Sequence, residues 1–277
     1  MRLATSLSEL NEALSQLNMT SGLGLVPTMG YLHEGHQALV RRSHGDGPTV
    51  VTVYVNPKQF GVGEDLERYP RDLSRDVQRA EEAGADVLFA PTDEEIYPPG
   101  YATAVHVKHL EDLHCGYYRP GHFAGVTTVL ARLFGLIRPS RAYFGQKDYQ
   151  QSVIVRRMVS DLALPIEIVT VPTVREPDGL ALSSRNVYLT AEERRSAPEI
   201  HRILSQARNL FAEGETDAAR LLGRTSAQLS RIPGFRIQYL TLVDPDTLAE
   251  RDVARPGDVL LTAGYFGSTR LIDNQIL

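Results

Sequence analysis

Cysteine is nearly absent. Cys115 stands alone in 277 residues, so neither an internal disulfide nor a cysteine zinc cluster can form. Positive charge is not in excess either: 29 Lys and Arg face 34 Asp and Glu, a formal net charge of -5, which argues against a surface built to hold a polyanion such as tRNA. No apolar run approaches the roughly eighteen residues of a membrane span, and the segment from Met1 to Leu10 has no apolar core of signal-peptide length. The expectation is a cytoplasmic protein with no membrane and no nucleic-acid partner. Internal repeats and low-complexity tracts are also lacking, which sets repeat architectures aside. What remains is ordinary globular composition, 42% hydrophobic and 23% charged, in a chain long enough for one large domain or two ordinary ones.

The most informative stretch is Pro27-Thr28-Met29-Gly30-Tyr31-Leu32-His33-Glu34-Gly35-His36, which follows a short apolar run and opens into a helical pattern. It reads as strand, tight loop, helix. The unpaired N–H groups of the first helical turn, together with the helix dipole, make such a loop a site for phosphate, and glycines let the backbone approach a ligand closely. His33 and His36 fall on one side of that turn. Their spacing differs from the His pair at i and i+4 that binds zinc on a helix. His114, Cys115 and His122 lack an evident fourth ligand and span a stretch that reads as a loop.

Strand and helix patterns alternate along the first part of the chain. A helix capped by Ser6 or Ser8 and running to Leu17 leads, followed by strands over 22–26, 49–55, 86–90, 141–144 and 166–171, with helices over 72–83, 126–137 and 149–162 between them. Turn formers at 172–179 mark a crossing. Beyond it, capping boxes at Thr190 with Glu193 and at Ser196 with Glu199 start two helices, another runs over 217–231, and strands at 235–243, 258–263 and 269–276 imply a small antiparallel sheet. The fold class is α/β: a doubly wound Rossmann-like parallel-sheet domain over 1–173, then a smaller α+β domain with antiparallel strands over 174–277, expected to cover the nucleotide site.

In an open parallel sheet the loops at the carboxyl ends of strands line the ligand crevice. Asn56 and Gln59 emerge there after the second predicted strand, with amides that both donate and accept. Gly145-Gln146-Lys147-Asp148 repeats the logic of the first loop, adding a lysine that can reach a phosphate, and Gln151 lies one turn further on. Ser183-Ser184-Arg185-Asn186 sets two hydroxyls beside a guanidinium, a donor group suited to a polyphosphate.

The string His33-Glu34-Gly35-His36 after a strand resembles the signature of the nucleotidyl-transfer superfamily, which includes class I aminoacyl-tRNA synthetases and small-molecule adenylyltransferases. Pro27 to His36, Val55-Asn56-Pro57 with Gln59-Phe60-Gly61, Tyr69-Pro70-Arg71, Arg119 to Phe123, Phe144-Gly145 with Lys147 to Gln151, and Ser183 to Asn186 together resemble the pantothenate synthetase (pantoate:beta-alanine ligase) family. The resemblance implies ATP-dependent joining of pantoate to beta-alanine through a pantoyl adenylate, with Mg²⁺, in a homodimer. It implies that Pro27 to His36, Gly145 to Asp148, Val174, Leu182, Ser183, Ser184 and Arg185 hold ATP. On the same ground His36, His33, Lys147 and Arg185 are catalytic, Gln59, Gln151, Met29 and Asn56 hold substrate, and Asp76 is a carboxylate near the metal. Gln146, Leu182 and Arg75 depart from the family's usual Glu, Met and acid, and Tyr117-Tyr118 is bulkier than expected. Two rival readings are a nucleotidylyltransferase that transfers AMP and stops, and a non-catalytic nucleotide-binding module.

Overall fold

The computed structural model, which describes residues 1–277, begins with a strand that the sequence pattern does not announce. β1 (Arg2–Ala4) is short and shows no alternation, and it pairs only with a strand far along the chain, so no local signal marks it. α1 (Leu7–Ser15) follows, capped by Ser6 with Glu9 in a capping box, and ends before the expected Leu17. The remaining elements of the first part are β2 (Gly24–Thr28), α2 (Glu34–Asp46), β3 (Thr49–Val53), α3 (Leu73–Glu82), β4 (Val87–Phe89), α4 (Asp93–Ile96), α5 (His114–Tyr118), α6 (His122–Ile137), β5 (Arg141–Gly145), α7 (Tyr149–Asp161) and β6 (Glu167–Val171).

These strands form one six-stranded parallel sheet in the order β1-β4-β3-β2-β5-β6. Val26, Val50, Val51 and Leu88 are fully buried, as the β-branched runs require of strands covered on both faces. From β2 the chain builds outward through β3 and β4, then resumes on the other side of β2 with β5. The order therefore reverses between β2 and β5. Their carboxyl ends deliver the His33 loop and Gly145-Gln146, the place where open α/β sheets bind ligands.

Two differences from the sequence reading lie in the stretch before β5. Residues taken as loop form α5, and α6 begins at His122 rather than 126. Gly121 holds a left-handed φ of 81° at the N-cap, and the His and Gly of the first turn mask an apolar face that Phe123 already joins.

Contacts group Met1–Gln146 with Ile154–Pro172, and Lys147–Val153 with Thr173–Leu277. The second unit contains α8 (Ala191–Ser196), α9 (Glu199–Ala212), α10 (Ala218–Leu229) and an antiparallel sheet of β7 (Phe235–Val243), β8 (Val259–Phe266) and β9 (Thr269–Ile276) in that order. Its core joins Ile200, Ile203, Leu204, Leu221, Leu260 and Phe266. The capping box at Thr190 forms as expected. The one at Ser196 does not: Ser196 stays inside α8, its hydroxyl donating to Glu192 O at 3.2 Å, and Pro198 takes the N-cap of α9 without a side-chain bond. No helix is long and apolar enough to cross a membrane.

Candidate active site

The His33 loop is held by its own side chains and by Asp76. Thr28 Oγ1 donates to Thr52 O at 2.6 Å and accepts from Gly30 N–H at 3.1 Å, so the end of β2 is pinned to β3 as the chain turns. The turn places Gly30 at φ 85° and Tyr31 at φ 52°, the second a costly conformation for a residue with a side chain. A Cβ on Gly30 would lie 2.8 Å from both Asp76 Oδ2 and Val53 Cγ1. Glycine is needed here on both grounds. Asp76, 1% exposed on α3, accepts from Tyr31 N–H at 2.9 Å and from Leu32 N–H at 2.6 Å. Burial pushes its carboxyl above the ordinary carboxylate value, against the two N–H donors that favour the charged form. Arg75 lies over the Tyr31 ring, 4.3 Å from its centroid, so the residue that departs from the family pattern has a partner in the loop.

His33 is the N-cap of α2. Its Nδ1 accepts from Gly35 N–H at 3.1 Å, and His36 Nδ1 reaches back to accept from His33 N–H at 3.3 Å. The rings stack with centroids 4.0 Å apart. Because both Nδ1 atoms face backbone donors, hydrogen-bond polarity assigns the proton of each neutral ring to Nε2. Two N–H edges are thus added to the positive end of a helix, an arrangement that favours anionic oxygen. Beside the loop, Met29 and Asp76 line a cleft of about 450 Å³ whose other walls include Tyr54, Leu66, Arg71 and Asp93.

Gln59 ends a single 3-10 turn, Pro57–Gln59, capped by Asn56. It is buried, with Oε1 accepting from Asn56 Nδ2 at 3.0 Å and Nε2 donating to the thioether of Met29 at 3.0 Å. The turn is gripped by α6. A Cβ on Gly125 would stand 2.2 Å from Lys58 O, and His122 Nδ1 donates to Gln59 O at 2.7 Å. Arg119 binds His122 Nε2 at 2.9 Å and forms a two-pronged bridge to Glu64 at 2.7 and 2.6 Å. The Arg119-to-Phe123 motif, which carried no role in the sequence reading, is therefore the clasp of the Gln59 turn, and no cluster of three or more His, Cys, Asp and Glu forms a metal site.

Burial alone would raise the Glu64 carboxyl, but the Arg119 guanidinium holds it down at about 2. A depressed carboxylate stabilises the fold above its unfolded value and loses that contribution as pH falls through the folded one. Between pH 4.5 and about 2, the urea midpoint should therefore fall more steeply in the parent than in Glu64→Gln. Equal slopes would remove Glu64 from the account.

The other predicted residues belong to the second unit or to its border. Gly145 ends β5, with no atom beyond its chain neighbours within 4 Å of the position a Cβ would take, and Gln146 begins a 3-10 turn that ends at Asp148. Lys147 lies in this turn rather than in α7, half-buried, with its carbonyl accepting from Asn274 Nδ2 at 3.0 Å. Gln151 follows in the first turn of α7, also half-buried. Val174 and Leu182 are paired, Leu182 N–H donating to Val174 O at 3.0 Å, and Arg175 ties this return to β9 through a fork on Asp273 at 2.7 and 2.8 Å. Ser183 caps the 3-10 turn Ser184–Tyr188 by accepting from Arg185 N–H at 3.3 Å, and Asn186 Nδ2 donates to Ala181 O at 3.1 Å. Arg175 and Asp273, not singled out from the sequence, hold the segment that carries Ser183 to Arg185.

The family model described as pantoate-beta-alanine ligase matches residues 2–276. A pantothenate synthetase from Moorella thermoacetica is 52% identical over 256 residues, covering 92% of this chain and 90% of that protein. The crystal structure of pantothenate synthetase from Thermus thermophilus superposes with a TM-score of 0.94 at 51% identity, covering 100% of this chain and 99% of that one. A Francisella tularensis pantoate-beta-alanine ligase, complexed with beta-gamma ATP and beta-alanine, superposes with a TM-score of 0.82 at 31% identity over 100% and 97% of the two chains. With a match that runs from end to end and a histidine loop standing at the switch point of the sheet, this chain belongs to the pantoate-beta-alanine ligase (pantothenate synthetase) family.

Proposed function

We propose that the protein condenses pantoate with beta-alanine to pantothenate at the expense of ATP, through an enzyme-bound pantoyl adenylate, as a cytoplasmic homodimer. The observation that carries this reading is the end-to-end family match of a chain that keeps the paired histidines on the α2 cap. In the first step the pantoate carboxylate attacks the α-phosphorus of ATP. The bond to the bridging oxygen breaks, and pyrophosphate leaves. In the second step the beta-alanine amine attacks the activated carbonyl, the acyl–oxygen bond breaks, AMP leaves and the amine proton is lost.

Neither step needs a protein nucleophile; both need alignment and donors placed where charge develops. His33 and His36 offer Nε2–H edges to phosphate oxygens, with the N–H groups of α2 behind them. Lys147, Ser183, Ser184 and Arg185 add donors for the remaining phosphate charge and for pyrophosphate as it leaves. Gln59 and Gln151 hold the pantoate, whose oxygen takes the place of the Met29 sulfur, a weak acceptor, at Gln59 Nε2. The Ser183 to Asn186 segment keeps water from the adenylate.

Mg²⁺ finds no cage of protein ligands in this chain. No group of three candidate side chains stands together, and each oxygen of Asp76 already accepts from a loop N–H group. A cation that keeps its waters and is held mainly through substrate phosphates suits such a protein, so the metal arrives with the nucleotide.

Labelled pyrophosphate should exchange into ATP when pantoate and Mg²⁺ are present and beta-alanine is absent. Beta-alanine alone should support none. Adding it to the complete mixture should yield a product with the mass of pantothenate. Exchange that appears only after the amine is added would overturn the stepwise route, and exchange without the amide product would leave a nucleotidylyltransferase.

A further inference from the structure

Asn56 stands between two backbone groups of unambiguous polarity. Its Oδ1 accepts from Lys58 N–H at 3.3 Å, and its Nδ2 donates to Gly125 O at 3.1 Å. A flipped amide would set N–H against N–H and oxygen against oxygen, so the orientation is decided by the main chain. The second bond on each side extends this polarity. Tyr97 Oη–H donates to Oδ1 at 2.8 Å, and the other Nδ2 hydrogen goes to Gln59 Oε1 at 3.0 Å. Asn56 thus makes four hydrogen bonds, the most its amide allows, and every one points the same way.

The consequence falls on Gln59. With Oε1 committed to Asn56, its Nε2 edge faces Met29, the contact that a ligand oxygen would replace. Tyr97 is well placed to sustain the relay. Its ring stands 6.3 Å from that of Tyr54 and 5.0 Å from that of Tyr101, and the Lys58 ammonium lies 4.5 Å from its centroid. Burial and the neighbouring Tyr101 and Asp93 push the phenol above its ordinary value, so it remains a donor throughout the neutral range.

We propose that Tyr97 is a positioning residue that, through Asn56, locks the Gln59 amide with its N–H edge toward the substrate, so that this subsite accepts a carboxylate or hydroxyl oxygen and refuses an ammonium. The proposal rests on the reading of Gln59 as a pantoate-binding residue. It supplies what that reading lacks, since a free glutamine presents either edge and would not distinguish the oxygens of pantoate from the amine of beta-alanine.

The test is a cycle on the full-length enzyme with Tyr97→Phe, Gln59→Ala and the double variant, measuring KM for pantoate, KM for ATP and kcat. Loss of one neutral hydrogen bond in the relay should raise the pantoate KM of Tyr97→Phe between about threefold and tenfold, with kcat and the ATP KM within about twofold. In the Gln59→Ala background the same change should add nothing, because the group being positioned is gone. Asn56→Asp provides the inversion: an acceptor-only side chain facing Gln59 and Gly125 O should turn the glutamine, costing more pantoate affinity than Tyr97→Phe. Equal fold-changes for Tyr97→Phe in both backgrounds, or a change in kcat alone, would overturn the relay. Normal pantoate use by Gln59→Ala would instead sink the assignment of Gln59. The two failures are distinguishable.

Discussion

Replacing His36 with alanine is expected to slow adenylate formation by about a hundredfold to a thousandfold, the loss that follows removal of one donor matched to developing oxyanion charge. The ring can deliver this because its Nδ1 is held by the His33 N–H, which fixes both the tautomer and the direction of the Nε2–H edge. The same contact sets the cost to the fold: one cap bond at the helix end is lost, about 1 kcal/mol. Single-turnover formation of the adenylate, measured beside urea unfolding, separates the two effects. A variant that unfolds near the parental midpoint yet forms adenylate at the parental rate would remove His36 from the chemistry.

The histidine loop was legible in the sequence because everything that defines it is local. A strand, a left-handed glycine, a cap and a first helical turn fall within a dozen residues, and each has its own signal. The parallel sheet was legible for a similar reason: β-branched runs alternate with helical periods along the chain, although the spatial order β1-β4-β3-β2-β5-β6 is not the chain order. β1 was not, since a three-residue edge strand takes its identity from β4, more than eighty residues away. Ser196 shows the converse, a correct local pattern overridden because α8 runs on through the expected cap.

The supports of the site lay beyond the reach of pattern. Asp76 meets its partners 44 and 45 residues back, and His122 meets the Gln59 carbonyl across 63. Nothing in the string Arg119 to Phe123 says that its guanidinium and imidazole clasp another loop, although its match to the family marked it. Arg75 was visible only as a departure from the family pattern, and the structure gives it a partner in the Tyr31 ring. Residue types named the chemistry; the tertiary fold decided which side chains present it and which hold others in place.

Asp76 draws the sharpest line between those two roles, and its replacement should have the largest effect on the fold. A carboxylate near a metal would act on a cation, whereas here Asp76 is 1% exposed and gives one oxygen to each of two loop N–H groups. Asp76→Ala leaves both donors buried without acceptors, at about 1 to 3 kcal/mol each. It also releases a turn in which Tyr31 is held at φ 52°, a conformation that persists only while its surroundings impose it. Asp76→Asn should be only partly better, since the amide offers one oxygen and turns its own N–H groups toward the second donor. Both variants should therefore lose urea stability and, as the histidines lose their platform, adenylation rate. Raising Mg²⁺ should restore neither, because the missing interaction is with backbone N–H. If excess Mg²⁺ returned Asp76→Asn to the parental rate while its unfolding midpoint matched the parent, Asp76 would be a metal ligand and the loop-anchor reading would be wrong.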